Sequence, residues 1–200
     1  MAPRATIAVF DFDGTLTTRD SLLRFVGWRR PRWRLAADLV ATSPLLLLYA
    51  LRLVDNERHK MALFARRFAG MGAADYQALA GDFAREELPA LLRSEAVERL
   101  RSHRDEGDRV VIVTASPIDW IAPWAATEGV PDVVGNVAEV RDGRVTGRLS
   151  GPNCHGAEKL SRLLELAPER SSYTLVAYGD SRGDRELLAA ADRSFYRRFA

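Results

Sequence analysis

The sequence contains very little cysteine. Cys154 is the only one in 200 residues, which excludes an intrachain disulfide and is typical of a reducing compartment. The first six residues lead almost directly into an apolar strand and lack the long apolar region of a secretory signal. Neither an internal repeat nor a low-complexity tract is present. Together these features predict a cytoplasmic protein.

The sequence also lacks an uninterrupted apolar run long enough to cross a membrane, which requires about 20 residues. The most apolar stretch, residues 35–54, is interrupted at three places: Asp38, the Ser43-Pro44 pair and Arg52. We therefore expect a buried pair of helices here. The alternative is a peripheral contact with the inner face of the membrane, in which Trp28, Trp33 and the arginines between and after them lie at headgroup level.

The charge is small overall but unevenly distributed. The formal net charge is +2, yet residues 21–75 contain ten basic and four acidic residues, so the rest of the chain is net acidic. A basic segment above an acidic centre favours an anionic substrate or surface. We expect no nucleic-acid partner, because the arginines are not interleaved with residues that stack on or read bases.

Three apolar runs are typical of buried parallel strands: Ile7–Phe10, Val110–Val113 and Thr174–Tyr178. Each run leads into small or acidic residues, and helical segments separate them. This alternation predicts an α/β fold, a doubly wound, Rossmann-like and mostly parallel sheet flanked by helices. The Asp142-Gly143 pair between two shorter alternating runs predicts a β-hairpin, which we place at the edge of the sheet.

A long segment without strand signals separates the first two predicted strands. Between Asp20 and about Arg104, apolar residues recur at helical spacing, and Pro31, Pro44 and the glycines around residue 71 divide the segment. We therefore predict an all-helical insert, the cap, at residues 20–104. The remaining residues, 1–19 and 105–200, would form the core.

Two carboxylates follow the first predicted strand. Asp11 and Asp13 are two residues apart, so on an extended segment both can face one site while Phe12 turns into the packing. Ligands of open α/β sheets bind beyond the carboxyl ends of the strands. Because two adjacent carboxylates repel each other, a hard cation such as Mg²⁺ is the expected cofactor.

Polar residues occupy equivalent places at the ends of the other strands. The second strand leads to Thr114 and Ser116, the third leads to Asp180 and Asp184, and Lys159 stands near the start of a predicted helix. This set suits phosphoryl transfer, because a carboxylate can attack phosphorus while hydroxyl, amide and ammonium groups bind the phosphoryl oxygens.

The set suggests a role for each residue. Asp11 would be the nucleophile and Asp13 the general acid and base. Thr114, Ser116 and Lys159 would bind the phosphoryl group. The metal would be held by Asp11, Asp180 and the main-chain carbonyl of Asp13, with Asp184 completing an outer shell or orienting Lys159.

The motifs around these residues resemble those of the haloacid dehalogenase superfamily. The resemblance rests on Asp-Phe-Asp-Gly-Thr-Leu-Thr, the Thr114 strand end, Lys159 and Gly-Asp-Ser-x-x-x-Asp. It is closest to subfamily IB, the branch with phosphoserine phosphatase and a bacterial phosphatidylglycerophosphatase, in which a helical cap follows the first motif. This resemblance implies a Mg²⁺-dependent phosphatase with an aspartyl-phosphate intermediate. Asp13 disfavours dehalogenation, because the dehalogenases lack this second aspartate.

We expect the substrate to be a phosphorylated small molecule or a lipid headgroup, and two alternatives stay open. In the first, Asp20 and Arg67 stand where the resemblance implies contacts to the amine and carboxylate of phosphoserine, although Asp20 can equally cap a helix. In the second, the apolar segment and its tryptophans and arginines favour a lipid phosphate. A non-enzymatic alternative is an inactive fold that binds anions or membranes, which the intact acidic pairs argue against.

Overall fold

Five parallel strands form the central sheet. The computed structural model describes residues 4–50 and 56–199, without the side chains of residues 46–50, 56 and 57. In spatial order the strands are β3 (Asp132–Asn136), β2 (Arg109–Pro117), β1 (Ala5–Phe10), β6 (Tyr173–Gly179) and β7 (Arg193–Tyr196). The predicted parallel sheet is confirmed, and the strand that leads to Asp11 lies at its centre.

Helices cover both faces of this sheet, as a doubly wound fold requires. Alternate residues of β1 point to opposite faces: Ala8 and Phe10 belong to one apolar cluster, Ile7 and Val9 to another. The first cluster includes residues of α5 (Ser94–Asp105) and α6 (Ile121–Thr127), and the second includes residues of α7 (Ala157–Leu166) and α8 (Arg185–Ala190).

The predicted helical insert is also confirmed. In the described part of the segment between β1 and β2, four α-helices precede α5: α1 (Ser21–Gly27), α2 (Arg32–Ala50), α3 (Asn56–Phe68) and α4 (Ala73–Glu86). Stacked and edge-to-face aromatic rings, with Phe25 at their centre, hold the insert together. Leu100 of α5 packs into the same cluster as Phe10 of the sheet. The boundaries of cap and core at residues 20 and 104 stay a prediction.

The predicted hairpin forms, but its predicted place at the edge of the sheet is wrong. Strands β4 (Ala138–Arg141) and β5 (Arg144–Leu149) make a separate two-stranded sheet. It is bonded to the insert instead: the amide of Gly70 donates to the carbonyl of Val145 (2.8 Å), and the amide of Val145 donates to the carbonyl of Met71 (2.9 Å). Alternating residues predict a hairpin but carry no information about its tertiary partner.

Helix α2 pairs with α3, although it is less buried than we expected. Thr42 of α2 is hydrogen-bonded to His59 of α3 (3.1 Å), and both are buried. On the opposite side of α2, Trp33 is 68% exposed and Val40 is 72% exposed. Residues 51–54 of the apolar stretch, including Arg52, lie outside the described residues. Within the described chain, no helix has the length and apolar character that a membrane crossing needs.

Candidate active site

The central strand delivers Asp11 to the carboxyl edge of the sheet. Its amide donates a hydrogen bond to the carbonyl of Tyr178 in β6 (2.9 Å), which extends the parallel pairing by one residue. The chain then turns sharply through Gly14, whose φ of +90° favours glycine. Arg93 donates to the carbonyls of Gly14 and Thr15 (both 3.2 Å) and anchors this turn from the start of α5.

Lys159 lies between two carboxylates. Its Nζ is 2.5 Å from Oδ1 of Asp11 and 2.6 Å from Oδ1 of Asp184, and all three side chains are buried. Burial alone would lower the pKa of Lys159, but the two carboxylates outweigh it and raise the pKa above its ordinary value. Burial likewise would raise the pKa of Asp184, yet Lys159 and hydrogen bonds from Ser181 hold it below its usual range. A charged lysine is therefore fixed against Asp11.

A group of three carboxylates forms the candidate metal site. Asp11, Asp180 and Asp184 each offer an oxygen, and these oxygens lie within 4.8 Å of one another. Oδ1 of Asp180 is buried and has no hydrogen-bond partner among the described residues. Gly14 packs directly on this carboxylate, because a Cβ at Gly14 would lie 2.4 Å from Oδ2 of Asp180. The site thus contains a buried carboxylate oxygen, Oδ1 of Asp180, that receives no hydrogen bond from the described residues.

The electrostatics of this group fit a divalent cation. Burial raises the pKa of Asp11 to about 7, against the opposing effect of Lys159, and burial followed by the charge of Asp184 also raises the pKa of Asp180. A cation beside these oxygens would favour the ionised carboxylates. All-oxygen ligands are the donor set that Mg²⁺ prefers. The residues therefore fit Mg²⁺, with Asp11, Asp180 and Asp184 as the candidate side-chain ligands.

Asp13 has a different environment from Asp11. Its Oδ2 accepts a hydrogen bond from Oγ of Ser116 (2.5 Å), and its Oδ1 accepts one from the amide of Ser21 (2.6 Å). Burial and the charge of Asp20 raise the pKa of Asp13 to about 6, although these two donors oppose the shift. Its carboxylate is outside the three-carboxylate group. A metal contact through its main-chain carbonyl stays a prediction.

Thr114 and Ser116, the two hydroxyl residues of β2, also lie at the carboxyl edge of the sheet. Oγ1 of Thr114 accepts a hydrogen bond from the amide of Ser116 (3.0 Å), and both side chains are buried. Since Ser116 donates to Asp13, the structure joins the ends of β2 and β1 through that hydroxyl. Direct contact of Thr114 and Ser116 with a phosphoryl group stays a prediction.

Asp20 and Arg67 have other partners within the insert. Asp20 caps α1 by accepting a hydrogen bond from the amide of Leu23 (2.9 Å), and its Oδ2 lies 2.7 Å from Nζ of Lys60. Arg67 is seven residues beyond Lys60 on α3, about 10 Å along the helix axis. Its charged neighbours are Arg30, Arg34 and Asp38. The structure thus brings Asp20 near Asp13 but places Arg67 beside the charged residues of α2 and the segment before it.

Sequence reasoning missed three residues of this region. Ser21 binds Asp13, Arg93 anchors the turn after Asp11, and Lys60 pairs with Asp20. The proximity of Ser21 to a predicted helix cap was a usable signal. No local pattern indicates the other two, because each is about 40 or more residues from its partner in the chain.

Comparison with known proteins identifies the family of this chain. Residues 8–189 match the model of the haloacid dehalogenase-like hydrolase family. Protein CicA of Caulobacter vibrioides is 39% identical, over 100% of this chain and 89% of its own length. Phosphoserine phosphatase SerB1 of Mycobacterium tuberculosis is 30% identical, over 91% of this chain and 61% of its own length.

Structural comparison finds a similar fold in a solved protein. The crystal structure of a protein of unknown function from Bordetella pertussis Tohama I superimposes with a TM-score of 0.79 at 26% identity, over 96% of this chain and 90% of that one. The strand ends, the buried lysine and the carboxylate group therefore occur in a chain whose sequence matches one family of hydrolases. The protein belongs to the haloacid dehalogenase-like hydrolases, in which it is a phosphatase-type enzyme close to the phosphoserine phosphatases.

Proposed function

We propose that the protein hydrolyses phosphate monoesters with Asp11 as the nucleophile and Asp13 as the general acid and base. One observation carries this proposal: the two carboxylates of one short loop have opposite environments. Asp11 contacts the ammonium of Lys159, whereas Asp13 is held by the uncharged donors Ser116 and Ser21. Carboxylates whose environments differ in this way are suited to different roles.

The proposed reaction has two steps. An oxygen of Asp11 forms a bond to phosphorus while the bond between phosphorus and the ester oxygen breaks, and Asp13 gives its proton to the leaving oxygen. In the second step Asp13 accepts a proton from water, the water oxygen attacks phosphorus, and the Asp11 carboxylate leaves. Lys159 offsets negative charge on the phosphoryl oxygens during both steps.

Mg²⁺ would be held by Asp11, Asp180 and Asp184. When bound, it would neutralise charge between the carboxylates and the phosphoryl oxygens. Two observations support this cofactor: the unpartnered buried oxygen of Asp180 and the raised pKa values of Asp11 and Asp180. Asp184 would also position Lys159, to which it is hydrogen-bonded.

For the substrate we propose a small phosphate ester, with phosphoserine as the first candidate. The name of the Mycobacterium tuberculosis relative supports this choice. A specific observation favours the second candidate, an ester with a further anionic group, including a lipid phosphate. Lys60 already neutralises Asp20, so this carboxylate is not a ready partner for a substrate amine.

The test is a phosphate-release screen with and without Mg²⁺. Its substrates are phosphoserine, sugar phosphates, lysophosphatidate and phosphatidylglycerophosphate. We expect Asp11→Asn to abolish turnover while the protein stays folded, because the substitution removes the nucleophile at nearly constant volume. Asp105→Asn, at an exposed position outside the site, is the matched control.

Two results would contradict the proposed function. Retained phosphatase activity in Asp11→Asn would exclude the proposed nucleophile. Absence of phosphate release from every substrate by the folded wild type, at any Mg²⁺ concentration, would favour the alternative of an inactive fold that binds anions.

A further inference from the structure

Helix α2 buries two polar residues, Asp38 and Thr42, and exposes a row of apolar residues on its opposite side. Asp38 and Thr42 are buried against neighbouring helices, where Asp38 pairs with Arg30 and Arg66, and Thr42 is bonded to His59. The exposed residues on the other side have no charge. We call them the outward stripe: Trp33, Ala36, Ala37, Val40, Ala41 and Pro44.

Helical geometry shows that the outward stripe is continuous. At about 100° per residue these six positions fall within about 140° of one another around the helix axis, and Val40 and Trp33 lie near the centre. Trp33 and Val40 are also among the most exposed large apolar side chains of the described chain. A continuous exposed apolar row of this kind is a candidate interaction site.

The residues beside the stripe are cationic. Arg32 and Arg34 flank Trp33 in the sequence, and they lie on opposite sides of it around the helix. The guanidinium of Arg34 is 5.0 Å from the centre of the Trp33 ring. Among the side chains that the structure describes, which do not include those of Asp55 and Glu57, neither arginine has a carboxylate partner. Two exposed guanidinium groups therefore border an apolar stripe that has an amphipathic tryptophan at one end.

We propose that the outward stripe of α2 docks the protein on an anionic lipid bilayer, with the helix lying in the plane of the membrane. Charge complementarity favours this occupant, because the arginines on both sides of Trp33 would meet lipid phosphates while the stripe enters the acyl boundary. Tryptophan is enriched at the boundary between lipid headgroups and acyl chains, where Trp33 would lie.

Docking would be independent of catalysis. The stripe and its arginines are on the outside of the insert, whereas the carboxylate group is at the edge of the sheet. Binding to vesicles can therefore be measured without any assumption about the substrate, and a failure of the proposed phosphatase reaction would leave the result unchanged.

The test is flotation of the whole protein with two kinds of vesicle. One contains phosphatidylcholine alone, and the other contains phosphatidylcholine mixed with phosphatidylglycerol. We expect the wild type to float with the anionic vesicles and at least about tenfold less with the neutral ones, because each arginine near an anionic surface contributes about a factor of five. Raising the salt concentration should release the protein.

Three variants sharpen this test. Val40→Asp places a charge in the stripe and should reduce binding to anionic vesicles at least about tenfold. Val140→Asp is the matched control, since Val140 is an exposed valine on β4, and it should bind like the wild type. The double variant Arg32→Gln with Arg34→Gln should lose binding to the anionic vesicles in particular. Circular dichroism and size-exclusion chromatography show whether each variant is folded.

Several results would overturn the proposal. Wild type that stays unbound to anionic vesicles at low salt would exclude it, as would equal binding by Val40→Asp and Val140→Asp. If size-exclusion chromatography instead finds a dimer that Val40→Asp converts to a monomer, with no flotation of either, the stripe is an interface between two copies of the chain. Equal flotation with both kinds of vesicle would exclude the role of the arginines.

Discussion

Ser116 donates a hydrogen bond to Oδ2 of Asp13 across 103 residues of chain, with an O–O distance of 2.5 Å. This contact ties the loop after β1 to the end of β2 and fixes the orientation of the carboxylate that we propose as the proton donor. Ser116 is therefore a positioning residue for Asp13, in addition to any contact with the substrate.

The first prediction concerns this contact. We expect Ser116→Ala to reduce kcat roughly tenfold, since general acid catalysis depends on a correctly oriented carboxyl group. KM should change less than kcat. Steady-state kinetics of Ser116→Ala and of Ser116→Thr, which keeps a hydroxyl, provide the measurement. An equal decrease in kcat in both variants would contradict the role of the hydroxyl.

The second prediction concerns Gly14. Gly14→Ala would place a Cβ 2.4 Å from Oδ2 of Asp180, so Asp180 must move. We expect the Mg²⁺ concentration for half-maximal activity to rise about tenfold or more, as carboxylate geometry sets affinity for this ion. Gly70→Ala is the control, because Gly70 has a similar φ of +83° and nothing within 4 Å.

Both glycine variants should lose about 1–2 kcal/mol of unfolding free energy, because alanine is strained at positive φ. Only Gly14→Ala should change the response to Mg²⁺. An equal change in Gly70→Ala would mean that backbone strain, rather than contact with Asp180, is responsible.

The third prediction is that Mg²⁺ stabilises the fold. At a concentration about 100 times its Kd, a ligand that binds only the native state adds about 2.7 kcal/mol, which corresponds to a rise in Tm of roughly 5–10 °C for a chain of this length. Thermal unfolding with Mg²⁺ and with a chelator measures this rise.

Asp180→Asn provides the comparison for the same experiment. It should remove most of the rise in Tm, while without Mg²⁺ its Tm should be at least that of the wild type, because a buried carboxylate near Asp184 is lost. A full Mg²⁺ response in this variant would place the ion elsewhere.

The fourth prediction separates the two roles of Asp20. Asparagine caps helices as well as aspartate does, so Asp20→Asn should keep the stability of α1, whereas Asp20→Ala should lose about 1 kcal/mol. Chemical unfolding of both variants measures this difference.

Activity then reports on the charge of Asp20. If the role of Asp20 is to pair with Lys60 and cap α1, Asp20→Asn should leave the KM for phosphoserine nearly unchanged, because the substitution removes no contact to the substrate. A rise in KM of tenfold or more for phosphoserine alone would instead assign Asp20 to the substrate amine.

Much of the fold was predictable because the strands have strong local signals. The run before Asp11 is buried on both faces, so its composition indicates a central parallel strand without knowledge of its neighbours. The Asp142-Gly143 turn has positive φ at both residues, as a two-residue hairpin requires. The location of the hairpin was not predictable, because it depends on contacts with Gly70 and Met71 that are about 70 residues away.

The site was predictable to the extent that strand ends converge. Asp11 and Asp180 follow neighbouring strands, so topology alone brings them together. The separation of Asp13 from the metal group was not predictable, since it depends on donors from Ser21 and Ser116. Likewise the pairing of Lys60 with Asp20 depends on how α3 packs against α1, which the sequence pattern does not specify.

The position of the hairpin has a mechanical consequence. The insert is joined to the sheet by its two covalent connections, and β5 adds a backbone attachment through Val145 and residues 70–71. This attachment opposes a simple hinge motion about the two covalent connections. If the insert moves to widen the entrance to Asp11, either the hairpin must move with it or those backbone hydrogen bonds must break. The hairpin therefore limits how far the helices of the insert can move away from the sheet.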